Sequence, residues 1–325
     1  MQGRRLFPIN MFAMAGVLLG PIAANAQSWP ERPVRLIVPF APGGQTDSMS
    51  RQIGKRLADG LNQPFLIENR PGAGTVIGTD IVAKAAPDGQ TFLINAAALA
   101  INASLVPKLP YDTLRDLEPV SLLYSNALIL ALHPTVPVKN VAEMIRFTRA
   151  RPGELQFASA GVGTMGHLAL ELFQETTKLS YIHVPYKGSA PAITDMLGGH
   201  VYMFFDNPVS IMPHVRAGKF KAIATTGPGR MSLLPDVPTV AEQGLKGFDA
   251  INWTMLVAPA KTSGVILDRL NAEVARGMRA KDFIEQAGRD GLDVVAGSRA
   301  EAQRYLTDEV SRWGRIIRER GIKAE

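Results

Sequence analysis

Two distant stretches of this chain are built to one plan, and any fold has to accommodate both. VRLIVPF (34–40) is a strand-like apolar run, followed by APGGQTD and then by Met49, Ile53 and Leu57 at helical spacing. Far along the chain, LQFASA (155–160) leads through GVGT to Met165, Leu168 and Leu172, again three and four residues apart. An apolar run, a glycine turn and a stripe of helical period predict strand, loop and helix in each place. Thr46 and Thr164 stand where a helix N-cap belongs, behind glycines that let the backbone turn sharply and approach a ligand.

The first amides of a helix have no internal acceptor and sit at the positive end of its dipole, so each loop suits phosphate, sulfate or carboxylate. SAGVGTMG (159–166) also places Gly161, Gly163 and Gly166 at the G-x-G-x-x-G spacing of a dinucleotide turn. A dinucleotide unit asks for an acid about 20 residues further on, to hold the ribose. Here the next strand, YIHVPY, ends instead in Lys187 and Gly188, which is compatible with an NADP phosphate. The residues by themselves leave three readings open: two anion-binding jaws, an exported NADP-dependent oxidoreductase, or plain connecting loops.

Composition narrows the setting. Arg4 and Arg5 precede an apolar stretch that ends in Ala24-Asn25-Ala26, the pattern of a cleaved secretory signal over residues 1–26. Arg4-Arg5-Leu6-Phe7 is also a partial twin-arginine match, with ordinary secretory export the simpler expectation. Without those two arginines the formal charge falls from +6 to +4, and the other basic residues are scattered, so nucleic acid is not implied. The absence of cysteine excludes disulfides, thiolate catalysis and cysteine-bound metal. The five histidines lack metal-ligand spacing, no G-x-S-x-G is present, and ENRPGAG (68–74) lacks the lysine of a phosphate loop and reads as a turn with a helix start. About 300 mature residues favour two domains over one core. Near the C-terminus, Leu306, Val310, Trp313 and Ile317 form a helical apolar stripe, with Arg312, Arg315 and Arg318 largely off it.

Five segments in order carry a family resemblance: WPERPVRLIVPFAPGGQTD, ENRPGAGTVIGTDIVAKAAPDGQTFL, FASAGVGTMGHLALELF, HVPYKGSAPAITDMLGGHV and LPDVPTVAEQG. The chain resembles the substrate-binding proteins of the tripartite tricarboxylate transporter family, the TctC or Bug type, over essentially its whole mature length. The resemblance implies the α/β fold of a type II periplasmic binding protein, with two lobes on a two-strand hinge. It further implies no catalytic activity, no cofactor, a monomer, and delivery of a small organic acid to a membrane permease. A membrane sensor that uses the same closure stays open as a third role. Lobe 1 would be 27–125 plus 252–325 and lobe 2 would be 126–251, with crossings at ALILALHP (from 127) and WTMLVAPA (from 253). The family pattern is departed from at Gln90 and Tyr202, outside both glycine loops.

Carried over by motif, the first jaw is Phe40, Ala41, Gly43, Gly44, Thr46 and Asp47, joined by Ala97 and Ala98. The second jaw is Ser159, Ala160, Gly161, Gly163, Thr164 and His167. Asp47 reads equally as a helix-start carboxylate, and His167 as a packing residue. Tyr186 and Lys187 follow a strand, and Lys187 would bring positive charge to the cleft or be solvated. Asp206 and Asn207 end the run VYMFFDN at a strand terminus, where ligands meet open α/β sheets, with turn formation before Pro208 as the alternative.

Overall fold

The computed structural model describes residues 29–323; the expected signal segment lies outside them. From the N-terminal side the chain forms β1 (Val34–Val38), α1 (Gln45–Leu61), β2 (Phe65–Asn69), a single 3-10 turn into α2 (Val76–Ala83), β3 (Thr91–Ala96), α3 (Ala98–Leu105) and β4 (Leu117–Ala127). The middle segment forms β5 (Ile129–Leu132), α4 (Val141–Ala150), β6 (Gln156–Ser159), α5 (Met165–Thr177), β7 (Ile182–Pro185), α6 (Ser189–Leu197), β8 (Met203–Asp206), α7 (Pro208–Arg216) and β9 (Lys221–Thr225). The chain then returns through β10 (Ile251–Pro259), α8 (Gly264–Met278), α9 (Lys281–Arg289), β11 (Asp293–Val294) and α10 (Arg299–Arg320).

Two sheets result. The first has the order β11-β4-β10-β3-β1-β2 and the second β7-β6-β8-β5-β9. In the first, β1 runs parallel to β2 and β3, and β10 is antiparallel to β3 and β4. In the second, β6 runs parallel to β7 and β8, and β5 is antiparallel to β8 and β9. A parallel strand covered on both faces needs apolar residues at every position rather than at alternate ones. VRLIV meets this at four of its five positions: Ile37 packs on one side of the sheet, Val34, Leu36 and Val38 join the other cluster with Met49, Ile53 and Leu57 of α1, and the exception, Arg35, pairs with Glu68 of β2 (2.6 Å). In α5, Met165, Leu168 and Leu172 are likewise buried, so both predicted stripes face a core.

The chain changes sheet between β4 and β5, at Leu128, and returns before β10, at Ala250. Both passages are tied to buried Thr226. Its amide donates to Leu128 O (3.0 Å), its hydroxyl accepts from Leu128 N (2.9 Å) and donates to Ala250 O (2.6 Å), and its carbonyl accepts from Ala250 N (3.1 Å). The segment between β9 and β10 stays with the second sheet, held by Val240 N to Thr225 O and by Gln243, whose side chain links Ile223 O to Val141 N.

The last helix lays its apolar stripe on the core shared with α3 and β4, a return that the stripe alone did not indicate. Ser298 and Glu301 form a capping box at its start, and Gly321 in the left-handed region (φ 64°) ends it. Leu306, Trp313 and Ile317 are buried, Val310 is half-buried, and Arg315 and Arg318 are exposed. Arg312 is not simply solvated, because it pairs with Glu309 (3.2 Å) and reaches Asp249 (3.9 Å). Among the described residues no helix is long and apolar enough to cross a membrane.

A candidate ligand site between the lobes

The first glycine loop leaves β1 with Gly43 in the left-handed region (φ 90°), and Gly44, in extended conformation, is the N-cap of α1. Thr46 is therefore the second helical residue and not the cap, two positions from the expectation. The helix can start early because its first amide finds an acceptor in the opposite lobe: Gln45 N donates to Ser210 Oγ at 2.8 Å. Thr164 does occupy the N-cap of α5, yet its hydroxyl donates to Gly161 O (2.7 Å) and caps no helical amide.

Several loop amides expected to face a ligand are already engaged. Gly43 N donates to Asp47 Oδ2 (2.9 Å), Gly161 N to Ser159 Oγ (3.2 Å) and Gly163 N to His167 Nδ1 (3.2 Å). The donors left without an intrahelical acceptor are those of the first helical turns, at Thr46 and Asp47 in α1 and at Met165, Gly166 and His167 in α5. Thr46, Met165 and Gly166 all line one cavity between the lobes.

That cavity has a volume of about 30 Å³, enough for about two waters at 10–15 Å³ each. Phe40, Gly44, Thr46, Ala98, Ala160, Thr164, Asp206 and Asn207 line it, eight of the residues expected from sequence. Its apolar wall adds Ala96, Leu128, Met165 and Phe205, and its polar wall adds Gln45, Ser189 and Asn252. No lysine, arginine or histidine lines it, and Asp206 is its one ionisable group.

Beneath the cavity runs a chain of neutral amides. Gln45 Nε2 donates to Asn126 Oδ1 (2.7 Å), and Asn126 Nδ2 (3.1 Å) and Asn252 Nδ2 (2.7 Å) both donate to Asn207 Oδ1. Gln45 Oε1 accepts from Val209 N at 3.2 Å, so one side chain of α1 binds the start of α7. Asp206 is 1% exposed and accepts from Ser189 Oγ at 2.7 Å through Oδ1, while its other oxygen, Oδ2, is buried with no partner. Burial, only partly offset by Ser189 and Asn207, pushes the carboxyl up to about 7.

The other expected residues lie off the cavity lining. Ala41 N donates to Lys187 O (2.8 Å), so Lys187 contributes its backbone to the lobe contact while its side chain is exposed. Tyr186 donates its hydroxyl to Asp195 Oδ2 (2.7 Å) and anchors α6. Ala97 is packed in the core. Ser159 is held by Gly161 N and by the ring of His183 (2.7 Å). Asp47 is buried; burial alone would raise its carboxyl, but Arg51, the Gly43 amide and Asn69 outweigh that and hold it below the usual range. His167 is fully buried and stacked on His183 with ring centroids 4.6 Å apart. Burial first, and then the neighbouring ring, bring its imidazole down to about 3, so it is neutral and serves as the acceptor for Gly163.

The dinucleotide geometry does not develop at GVGTMG. A Cβ on Gly163 would sit 2.1 Å from Asn102 Oδ1, and one on Gly74 would sit 2.0 Å from Val162 O. The loop is pressed against the first lobe, and the amides of Gly161 and Gly163 are bonded within it, so they are not offered to a diphosphate. The turn ENRPGAG, read from sequence as structural only, is the surface against which Val162 packs. Among the described residues no group of three or more His, Asp or Glu could hold a metal ion.

Comparison with known proteins agrees with this architecture. The model of the tripartite tricarboxylate transporter family receptor (TctC) matches residues 49–322. Protein BugT of Bordetella pertussis is 38% identical over 322 residues, covering 98% of each chain. The solved structure of R. palustris Rpa4515 with adipate superposes with a TM-score of 0.88 at 34% identity, covering 91% of this chain and 99% of that one. MatC (Rpa3494) from Rhodopseudomonas palustris with bound malate gives 0.86 at 33% identity, covering 89% and 100%. The two-lobed α/β fold is that of solved periplasmic binding proteins. The chain belongs to the tripartite tricarboxylate transporter family receptors, the TctC or Bug type.

Proposed function

We propose that this protein is an extracytoplasmic receptor that closes on a small dicarboxylate or related organic acid and hands it to the permease subunits of a tripartite tricarboxylate transporter. The observation that carries the reading is the composition of the interlobe cavity. It joins first-turn amides of α1 and α5 to neutral hydroxyl and amide side chains, a set of hydrogen-bond donors that grips a carboxylate without any side-chain cation. The adipate and malate found with the two similar structures support a dicarboxylate over a nucleotide.

In this reading the ligand contacts come from Gly44, Gln45, Thr46 and Ala98 on one side and from Ala160, Thr164, Met165, Gly166, Asp206 and Asn207 on the other. Lobe boundaries fall near Leu128 and Ala250, and the protein works as a monomer. A dicarboxylate exceeds the 30 Å³ cavity, so entry requires the lobes to part, breaking the Ala41–Lys187 and Gln45–Ser210 bonds.

A thermal-shift panel of dicarboxylates, tricarboxylates, acidic amino acids and aromatic acids tests the reading. A true ligand at about 100 times its Kd stabilises the protein by about 2.7 kcal/mol. Silence across the panel, with a shift for nicotinamide cofactors instead, would overturn it.

A further inference from the structure

The cavity poses a charge problem that amides alone do not solve. Its lining holds one ionisable side chain, and that side chain is a carboxyl, Asp206, in a pocket suited to anions. The groups facing Asp206 are all neutral: Ser189 from α6, Asn207 from the start of α7, the backbone of β5 alongside β8, and, through Asn207, Asn126 and Asn252. No arginine, lysine or histidine stands by to stabilise a carboxylate there. Oδ1 is satisfied by the Ser189 hydroxyl, whereas Oδ2 is buried and without a partner. An ionised carboxylate with one bare buried oxygen is expensive, and a second carboxylate placed against it would repel. A neutral carboxyl reverses both objections, because a proton on Oδ2 is a donor in search of an acceptor.

Resting on the receptor reading above, we propose that Asp206 recognises the bound acid in its protonated form, its Oδ2 hydroxyl donating to a ligand carboxylate oxygen, so that the solute is captured together with a proton. The carboxyl that burial holds near 7 in the cleft is poised for this, since ligand contact favours the protonated form further. Ser189 is the positioning residue: its hydroxyl fixes Oδ1 and so presents Oδ2. The site then accepts anions with an exposed carboxylate oxygen and rejects neutral amides that offer an N–H at the same point.

The test is calorimetric titration of the purified protein with adipate, malate and the most stabilising acid of the panel, at pH 6 to 9, in buffers of different ionisation enthalpy. With a group titrating near 7, the competent fraction falls about fifty-fold between pH 7 and pH 9, and affinity falls with it. Binding should take up a proton, about half an equivalent at pH 7 and close to one at pH 9. Asp206→Asn has no proton to gain or lose, so whatever its affinity at pH 7, its binding should show a flat profile from pH 6 to 9 and no proton uptake. Wild-type affinity that is flat from pH 6 to 9 without proton uptake would overturn the proposal while leaving the receptor reading intact. So would an asparagine variant that retains the full pH slope. Failure of every acid to bind at any pH would remove the receptor reading, and this one with it.

Discussion

Gln45 and Ser210 are 165 residues apart and belong to opposite lobes, yet the Gln45 amide donates to the Ser210 hydroxyl at 2.8 Å across the cleft floor. The start of α1 is thus completed by the start of α7, and each helix end reports the position of the other. Ser210→Ala removes the acceptor without adding bulk. A hydrogen bond of this kind contributes about 0.5–1.5 kcal/mol, so the variant should bind the cognate acid about two- to tenfold more weakly, with the loss seen in titration calorimetry. Unchanged affinity would mean the bond is not part of closure.

Gly163→Val addresses a separate contact between the lobes, the one with Asn102. Its Cβ would meet Asn102 Oδ1 at 2.1 Å, and φ 78° disfavours any branched residue, at a cost of about 1–2 kcal/mol in the strain alone. Affinity should drop more than tenfold, while the thermal midpoint moves only as far as the strain dictates. Asn102→Ala in the same chain relieves the clash and should recover part of the loss, a coupling that a double-mutant cycle measures. Additive losses would show that the loop acts by another route.

Two buried groups give stability opposite pH slopes. His167 has its folded value lowered to about 3 from 6.5. Only the unfolded chain takes its proton between those values, so this contribution is present above 6.5 and is lost as pH falls toward 3. Asp206 has its folded value raised to about 7 from 3.8. Its contribution is complete below 3.8 and is lost as pH rises through 7. Between about pH 4.5 and 6.5 each supplies a slope of about 1.4 kcal/mol per pH unit, with opposite sign, so the wild type should be nearly flat there. Urea midpoints should rise with pH in Asp206→Asn and fall with pH in His167→Gln. Two flat variants would refute the assignment.

Glu309 is 5% exposed, and its Oε2 accepts from the indole N–H of Trp253 (2.8 Å) on β10 and of Trp313 (3.0 Å) on α10. Replacing it with leucine orphans two buried donors, for a loss of about 2–4 kcal/mol, whereas Glu309→Gln keeps an acceptor and should lose about 1 kcal/mol. Chemical denaturation separates the two. Equal losses would point to packing rather than to the shared acceptor.

What the sequence revealed was local. The apolar stripes of α1 and α5 and the glycines that precede them sit within a few residues of one another, so their period and turn chemistry could be read directly. The position of Thr46 could not, because the early start of α1 depends on Ser210 from the other lobe. The amide chain through Asn126, Asn207 and Asn252 was equally hidden: its members are ordinary polar residues at strand ends until β4 and β10 bring Asn126 opposite Asn252. Gly161 and Gly163 show the reverse case. Their spacing suggested free donors, and the nearby Ser159 and His167 had the reach to occupy them.

Thr226 touches the outgoing passage at Leu128 and the returning one at Ala250 with both its backbone and its hydroxyl. The β4–β10 ladder ends beside these bonds at the Ala127–Ile251 pair, so ladder and threonine together hold the two passages in register and keep them from slipping lengthwise past each other.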